Sequence, residues 1–385
     1  MKINFFNYVK SFFHKNDNKI KVWDYIEEYE SEKTEIFSSI KEVLDSGWLI
    51  LGQKVKSFEQ EYSKYCNVKF GIGVANGTDA IFLALKALGI GKGDEVITVS
   101  NTAIPTVSAI VSAGAKPVFV DINENTYLMD VSKIEDKISN QTKCILPVHL
   151  YGQCVEMDEL NRIAKKYNLF VLEDCAQSHG AIQNNNMAGS MSDISTTSFY
   201  PTKILGTYGD GGMVNTNCKI LDKKMRMLRF YGAEKTYYAK EHGYNSRLDE
   251  LHASILLKKL NNLDYYLLKR KQIAKIYNCE LNNTELILPT VADNNIHSYY
   301  VYVVRHAKRD KIMSELKKYN IYTNISYPWP IHLMTGYSYL GYEEGSLPVT
   351  ENMANQIFSL PMYPTLSKTS QKKVIDTLRK ILDNL

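Results

Sequence analysis

The chain has 385 residues, 44% of them hydrophobic and 23% charged, with a formal net charge of +4. That length is too great for one simple core and suits a large domain with a smaller one. The Lys and Arg residues are too evenly spread for a nucleic-acid footprint, and no run approaches the roughly 20 apolar residues that a membrane span needs.

In chain order, residues 1–19 read as an arm. Phe5, Phe6, Phe12 and Phe13 alternate with Lys2, Lys10 and Lys15, in apolar runs too short for a signal-peptide core. A packed or frayed arm is the expectation. Buried strands are predicted at 95–99, 117–120, 144–148 and 169–172, all rich in Val, Ile and Leu. Between them, 78–88 and 155–167 carry apolar residues at helical spacing. Strands alternating with helices imply parallel pairing in a sheet covered on both faces. Residues 248–271 predict one long helix, 299–304 a strand and 309–319 a helix. These divide the chain into a large α/β domain over 20–265 and a small α+β domain over 266–385. The six cysteines show no CxxC pair and no zinc spacing with His, so no metal is expected; free thiols in a reducing cytoplasm account for them.

Three motifs carry chemistry. In Asn76-Gly77-Thr78-Asp79-Ala80 a strand-like run gives way to a helix. Such a junction offers unpaired N–H groups and a positive dipole end to an anion, although a plain cap at Thr78 or Asp79 would look the same. The glycines at 71, 73 and 77 also suggest a dinucleotide loop, but the only nearby acid, Asp94, lies in a loop rather than at a strand end. Glu173-Asp174-Cys175-Ala176-Gln177 follows the strand at 169–172, so Asp174 stands where open α/β sheets bind ligands. A carboxylate there can stabilise a protonated ring nitrogen, and Gln177 can donate to a phenolate oxygen. Finally, Ser198-Phe199-Tyr200-Pro201-Thr202-Lys203 runs from a strand (196–199) into a glycine-rich loop, where a partly desolvated Lys203 can attack a carbonyl. A surface lysine is the commoner reading of any single lysine; the order of the three motifs favours the chemical one.

With these residues in view, the chain resembles the DegT/DnrJ/EryC1/StrS family of sugar aminotransferases. Gly91-Lys92-Gly93-Asp94-Glu95-Val96, Gly243-Tyr244-Asn245-Ser246-Arg247-Leu248-Asp249-Glu250 and Tyr327-Pro328-Trp329-Pro330-Ile331-His332 extend the likeness from about residue 20 to the C-terminus. The resemblance implies the fold-type-I pyridoxal phosphate fold, like that of aspartate aminotransferase, with a mostly parallel sheet in the large domain. It implies a Schiff base to the cofactor at Lys203, with Asp174 on the pyridine nitrogen and Gln177 on the ring oxygen. Gly77, Thr78 and Ser198 would hold the phosphate, and Asn245 would reach the phosphate of the other subunit in a homodimer. Tyr327, His332 and Arg247 would lie near the sugar nucleotide. Ala103 departs from the pattern, because many relatives place an aromatic residue there against the cofactor ring.

The stretch from Asn245 to Leu251 resembles the branch acting on dTDP-linked 3-keto-6-deoxy sugars. The expected reaction transfers an amino group from L-glutamate to C3 of such a sugar, for a surface glycan. A 4-aminotransferase on a dTDP- or GDP-linked 4-keto sugar is the alternative, and a non-catalytic regulator that kept the fold is a remote one.

Overall fold

The computed structural model describes residues 19–235 and 237–385, so the predicted arm at 1–19 lies almost wholly outside the described residues. A seven-stranded sheet organises the chain: β1 (Phe70–Val74), β2 (Glu95–Val99), β3 (Lys116–Val120), β4 (Thr142–Ile145), β5 (Phe170–Asp174), β6 (Ile194–Ser198) and β7 (Gly212–Thr216). Their spatial order is β1-β7-β6-β5-β4-β2-β3. Strands β6, β5, β4, β2 and β3 pair in parallel, while β7 runs antiparallel to both β1 and β6. Every residue of β2 is buried, as a continuous apolar run between two helical layers requires. Strand β6 is equally buried despite its sequence of Ser and Thr. Its hydroxyls find acceptors, as where Ser195 donates to the Gly189 carbonyl at 2.8 Å and Thr196 to that of Glu173 at 3.2 Å.

The helices are α1 (Ile26–Ser46), α2 (Gln53–Tyr65), α3 (Gly77–Ala87), α4 (Ile104–Ser112), α5 (Met157–Tyr167), α6 (Lys219–Leu228), α7 (Glu250–Leu260), α8 (Leu263–Leu281), α9 (Arg309–Lys318), α10 (Pro348–Ala354) and α11 (Lys368–Leu382). In α3 the apolar stripe Ala80, Ile81, Leu83, Ala84 and Leu85 is buried against the sheet. Helix α5 stops where Asn168 takes a left-handed φ of 55°, which turns the chain into β5. A second core joins the last part of α8 to α9, α11 and the antiparallel pair β8 (Tyr302–Arg305) and β9 (Ile357–Leu360). Ile20 packs into this second core through a bridge to Ile321.

Two expectations need correction. The single helix at 248–271 is two helices, α7 and α8, because Asn261 and Asn262 interrupt it; the Asn262 amide donates to Glu32 at 2.8 Å instead of facing solvent. The strand expected at 299–304 begins only at Tyr302, because Tyr299 has a φ of 51°, incompatible with a strand.

Helix α2 has glycine at its N-cap and so no capping side chain of its own. The cap comes from α7. The buried carboxylate of Glu250 accepts from the N–H groups of Gly52, Lys54 and Val55, each at 2.8 Å. Glu250→Ala strands three donors at once and should cost on the order of 3 kcal/mol. A urea midpoint that falls accordingly, with cofactor present in both proteins, checks this.

Candidate active site

The carboxyl ends of β5 and β6 and the N-terminus of α3 open on one cavity of about 330 Å³. Asn76 caps α3, its side-chain oxygen accepting from the Asp79 N–H at 2.8 Å. The cap is therefore Asn76, not Thr78 or Asp79. The first-turn N–H groups of Gly77 and Thr78 have no partner within the helix and both residues line the cavity. A Cβ on Gly77 would lie 2.7 Å from the Ser198 Cβ, so only glycine lets the helix end come this close to the end of β6.

Asp174, the last residue of β5, is fully buried. It accepts from the Thr106 hydroxyl at 2.8 Å and from the Ala176 N–H at 3.0 Å. Burial pushes its carboxyl above the ordinary value, although those bonds and the charge of Lys203 oppose the shift. Gln177 is held at both ends of its amide. Its oxygen accepts from the Tyr151 N–H at 3.0 Å and its nitrogen donates to the Tyr327 hydroxyl at 2.7 Å, leaving one amide hydrogen for a ligand. Lys203 follows β6 in a tight loop, with its amine 4.8 Å from the centroid of the Tyr300 ring. Lys203, Tyr300 and Tyr327 all face the cavity, and so does Ala103 at the start of α4.

Other expected site residues stand elsewhere in this chain. Asn245 is exposed, bridged to Phe230, and does not line the cavity. Arg247 stacks over the rings of Phe230 and Tyr231, at 5.5 and 5.8 Å. His332 is 1% exposed and holds Ser100 Oγ at 2.7 Å and Glu351 Oε1 at 3.0 Å through its two ring nitrogens, so both are spent inside the fold. Sequence reasoning missed Tyr300 and Thr106. Tyr300 sits beyond the large sheet and carries no local signal, whereas Thr106, in the first turn of α4, offered only an unremarked hydroxyl.

The glycines at 71 and 73 lie inside β1, not in a turn, which removes the dinucleotide reading. Among the described residues, His149, Glu173 and Cys175 have metal-like spacing. Both His149 nitrogens are engaged, however: Nδ1 accepts from the Val155 N–H at 3.1 Å and Nε2 pairs with Glu173 at 2.8 Å. A larger opening of about 660 Å³, between α1, α8 and α11, contains none of the motif residues. Among the described residues, no helix is long and apolar enough to cross a membrane.

A seven-stranded sheet with one antiparallel strand, closing over an acid at one strand end and a lysine loop after the next, defines a fold-type-I pyridoxal phosphate enzyme. The comparisons make this specific. The DegT/DnrJ/EryC1/StrS aminotransferase family matches residues 30–379, and the chain belongs to that family. It is a pyridoxal-phosphate-dependent aminotransferase. It is 50% identical over 370 residues to a dTDP-3-amino-3,4,6-trideoxy-alpha-D-glucose transaminase of Micromonospora megalomicea subsp. nigra, covering 94% of this chain and 99% of the relative. It is 45% identical to a dTDP-3-amino-3,6-dideoxy-alpha-D-galactopyranose transaminase of Aneurinibacillus thermoaerophilus, covering 90% and 95% of the two chains. Among solved structures, DesV of S. venezuelae in complex with a ketimine intermediate superposes with a TM-score of 0.94 at 38% identity, over 95% of this chain and 99% of the other.

The raised carboxyl of Asp174 has a consequence for stability. Its folded-state pKa lies above the unfolded value near 3.8, so its stabilising contribution is present below 3.8 and is lost as pH rises through the folded value. Cofactor-free Asp174→Asn should therefore melt higher than the cofactor-free native chain at pH 7. The gain should shrink as pH falls toward 4, as calorimetry across that range will show.

Proposed function

We propose that the chain transfers the amino group of L-glutamate to C3 of a dTDP-linked 3-keto-6-deoxyhexose, giving a 3-amino-3,6-dideoxyhexose for surface glycan assembly. The observation that carries this reading is the likeness over nearly the whole length to two transaminases, both named for dTDP-3-amino sugars.

The residues around the cavity fit pyridoxal phosphate. Asp174 is a buried acid in want of a cation, and only a glycine-sized gap separates α3 from Ser198. When bound, the cofactor supplies an electron sink for the carbanion at the reacting carbon. Gly77 and Thr78 would hold its phosphate through the helix-end N–H groups and the Thr78 hydroxyl, with Ser198 on the other side. Asp174 would keep a proton on the ring nitrogen, and Thr106 fixes that carboxylate in place. Gln177 would give its free amide hydrogen to the ring oxygen. The Lys203 amine would hold the cofactor, then carry a proton to and from the substrate carbon. Tyr327, fixed by Gln177, would shape the sugar side of the cavity.

We further propose that the working enzyme is a homodimer whose two chains complete each other's sites. Phe37 (59% exposed), Leu44 and Trp48 (63% exposed) leave a large apolar surface on and after α1, and Asn245 is turned outward. In a dimer, Asn245 would serve the phosphate of the partner's site, with Arg247 beside it. His332 would act from behind the sugar pocket as a support for Ser100. Six free thiols are in keeping with a cytoplasmic setting.

Two experiments test the reading. Lys203→Ala should lose the near-visible cofactor band and turnover by on the order of 10²–10⁴-fold or more, with the amine formed by the native enzyme located at C3 by NMR. An amine at C4 only would overturn the C3 assignment. Phe37→Asp should shift sedimentation from twice the 44.0 kDa chain mass toward one chain, with loss of activity.

A further inference from the structure

Lys203 borders two openings. One is the cofactor cavity; the other, of about 150 Å³, is lined by Trp23 and Tyr25 ahead of α1, by Glu28 of α1, and by Tyr208, Lys259 and Arg270. Tyr25, 37% exposed, brings this second opening to the surface. Glu28 also lines the larger opening between α1, α8 and α11. Lys203 thus has a second approach from solvent, separate from the cofactor cavity.

This approach is polar. The Tyr208 hydroxyl and the Arg270 Nε are buried without a hydrogen-bond partner among the described residues. Buried polar groups left dry are costly, and ordered water is their usual partner. A volume of 150 Å³ has room for roughly five waters at about 30 Å³ each. Lys259 pairs with Glu28 at 2.6 Å, and its amine lies 5.1 Å from the centroid of the Tyr208 ring, so the three form one assembly. Glu28 is the only carboxylate lining this opening among the described residues. Burial and the charges of Glu28 and Glu32 keep the Tyr208 proton on its oxygen. Such a hydroxyl relays by accepting one proton as it releases another.

We infer that this opening is a water-filled passage carrying protons between the Lys203 amine and solvent, with the Tyr208 hydroxyl and the Glu28 carboxylate as its relay groups. The inference rests on the aminotransferase reading above and adds the route by which the amine loses and regains its proton. In turnover the cofactor and a bulky nucleotide sugar fill the other cavity, so exchange with solvent needs a second side. One proton leaves Lys203 Nζ for a water, one passes through Tyr208, and one reaches Glu28, which releases it to solvent. The reverse sequence recharges the amine, and no bond between heavy atoms changes. Contact with Lys203 alone is enough for such a passage, because no substrate has to cross it.

Two measurements test this. In a crystal of the cofactor-loaded enzyme, ordered waters should join Lys203 Nζ to Tyr208 Oη and to Glu28 at about 2.7–3.2 Å. An opening that is dry or closed by side chains overturns the inference, whatever the enzyme acts on. The second measurement uses L-glutamate and carbon-13-labelled 2-oxoglutarate in heavy water, with mass spectrometry of the labelled glutamate first formed. Native enzyme should place mainly deuterium at its Cα. Tyr208→Phe and Glu28→Gln should each lower the ratio of deuterium to hydrogen there about fivefold or more, because hydrogen taken from carbon stays longer on Lys203. Damage to the fold alone slows the formation of labelled glutamate and leaves that ratio unmoved. Tyr208→Phe keeps the ring beside Lys259, so it reads the relay even where Glu28→Gln, which strands Lys259, fails to fold. An unchanged ratio in Tyr208→Phe overturns the inference. A native enzyme that forms no labelled glutamate overturns the donor reading instead, while the waters decide the passage by themselves.

Discussion

The site depends on one unfavourable placement: the buried Asp174 carboxylate at the end of a central parallel strand. Burying an ionised acid costs several kcal/mol unless charge or donors meet it. The fold meets it only in part. Thr106 reaches it from the first turn of α4, the Ala176 N–H from the chain that follows, and the Lys203 charge from the loop after β6. Each of those elements is therefore fixed relative to β5, and what they leave uncompensated is the room for one more cation. A protonated ring nitrogen is such a cation.

Its neighbour shows the contrast. Successive residues of a strand point to opposite faces, so Glu173 faces away from the cavity. It too is buried, which alone would raise its carboxyl. Hydrogen bonds from His149, Ser192 and Gly189 overcome that and hold it below its ordinary value. Two adjacent carboxylates thus part company: one saturated and structural, the other under-supplied and available. The environment assigns the roles, as the same residue types in the same strand could not.

Much of this was legible in the sequence because it is local. The Val- and Ile-rich runs mark the buried strands, the junction at Asn76 marks a helix start, and Asp174 stands at the end of β5. What was hidden depends on distant contacts. The break at Asn261 and Asn262 exists because Glu32, in α1, accepts from the Asn262 amide. Tyr299 leaves the strand region at a point that nothing in its own neighbourhood of sequence marks. The family resemblance sets His332 near the sugar nucleotide, with a buried structural histidine as the equal alternative, and in the fold Ser100 and Glu351 engage both of its nitrogens.

Lys203 is placed by backbone rather than by partners. Its own N–H donates to the Tyr200 carbonyl at 2.8 Å, and the Thr207 N–H donates to the Phe199 carbonyl at 2.9 Å, closing the loop on either side of it. The side chain is left with the face of Tyr300, a soft contact that orients an ammonium without binding it tightly. That arrangement suits the shuttling role proposed for this amine. A strong ion pair would hold it still, whereas a ring face leaves the side chain free to swing between a cofactor and a substrate. In the proposed mechanism the rigid carboxylate of Asp174 is the fixed charge that keeps the cofactor in place, and the loosely held Lys203 is the group free to move a proton.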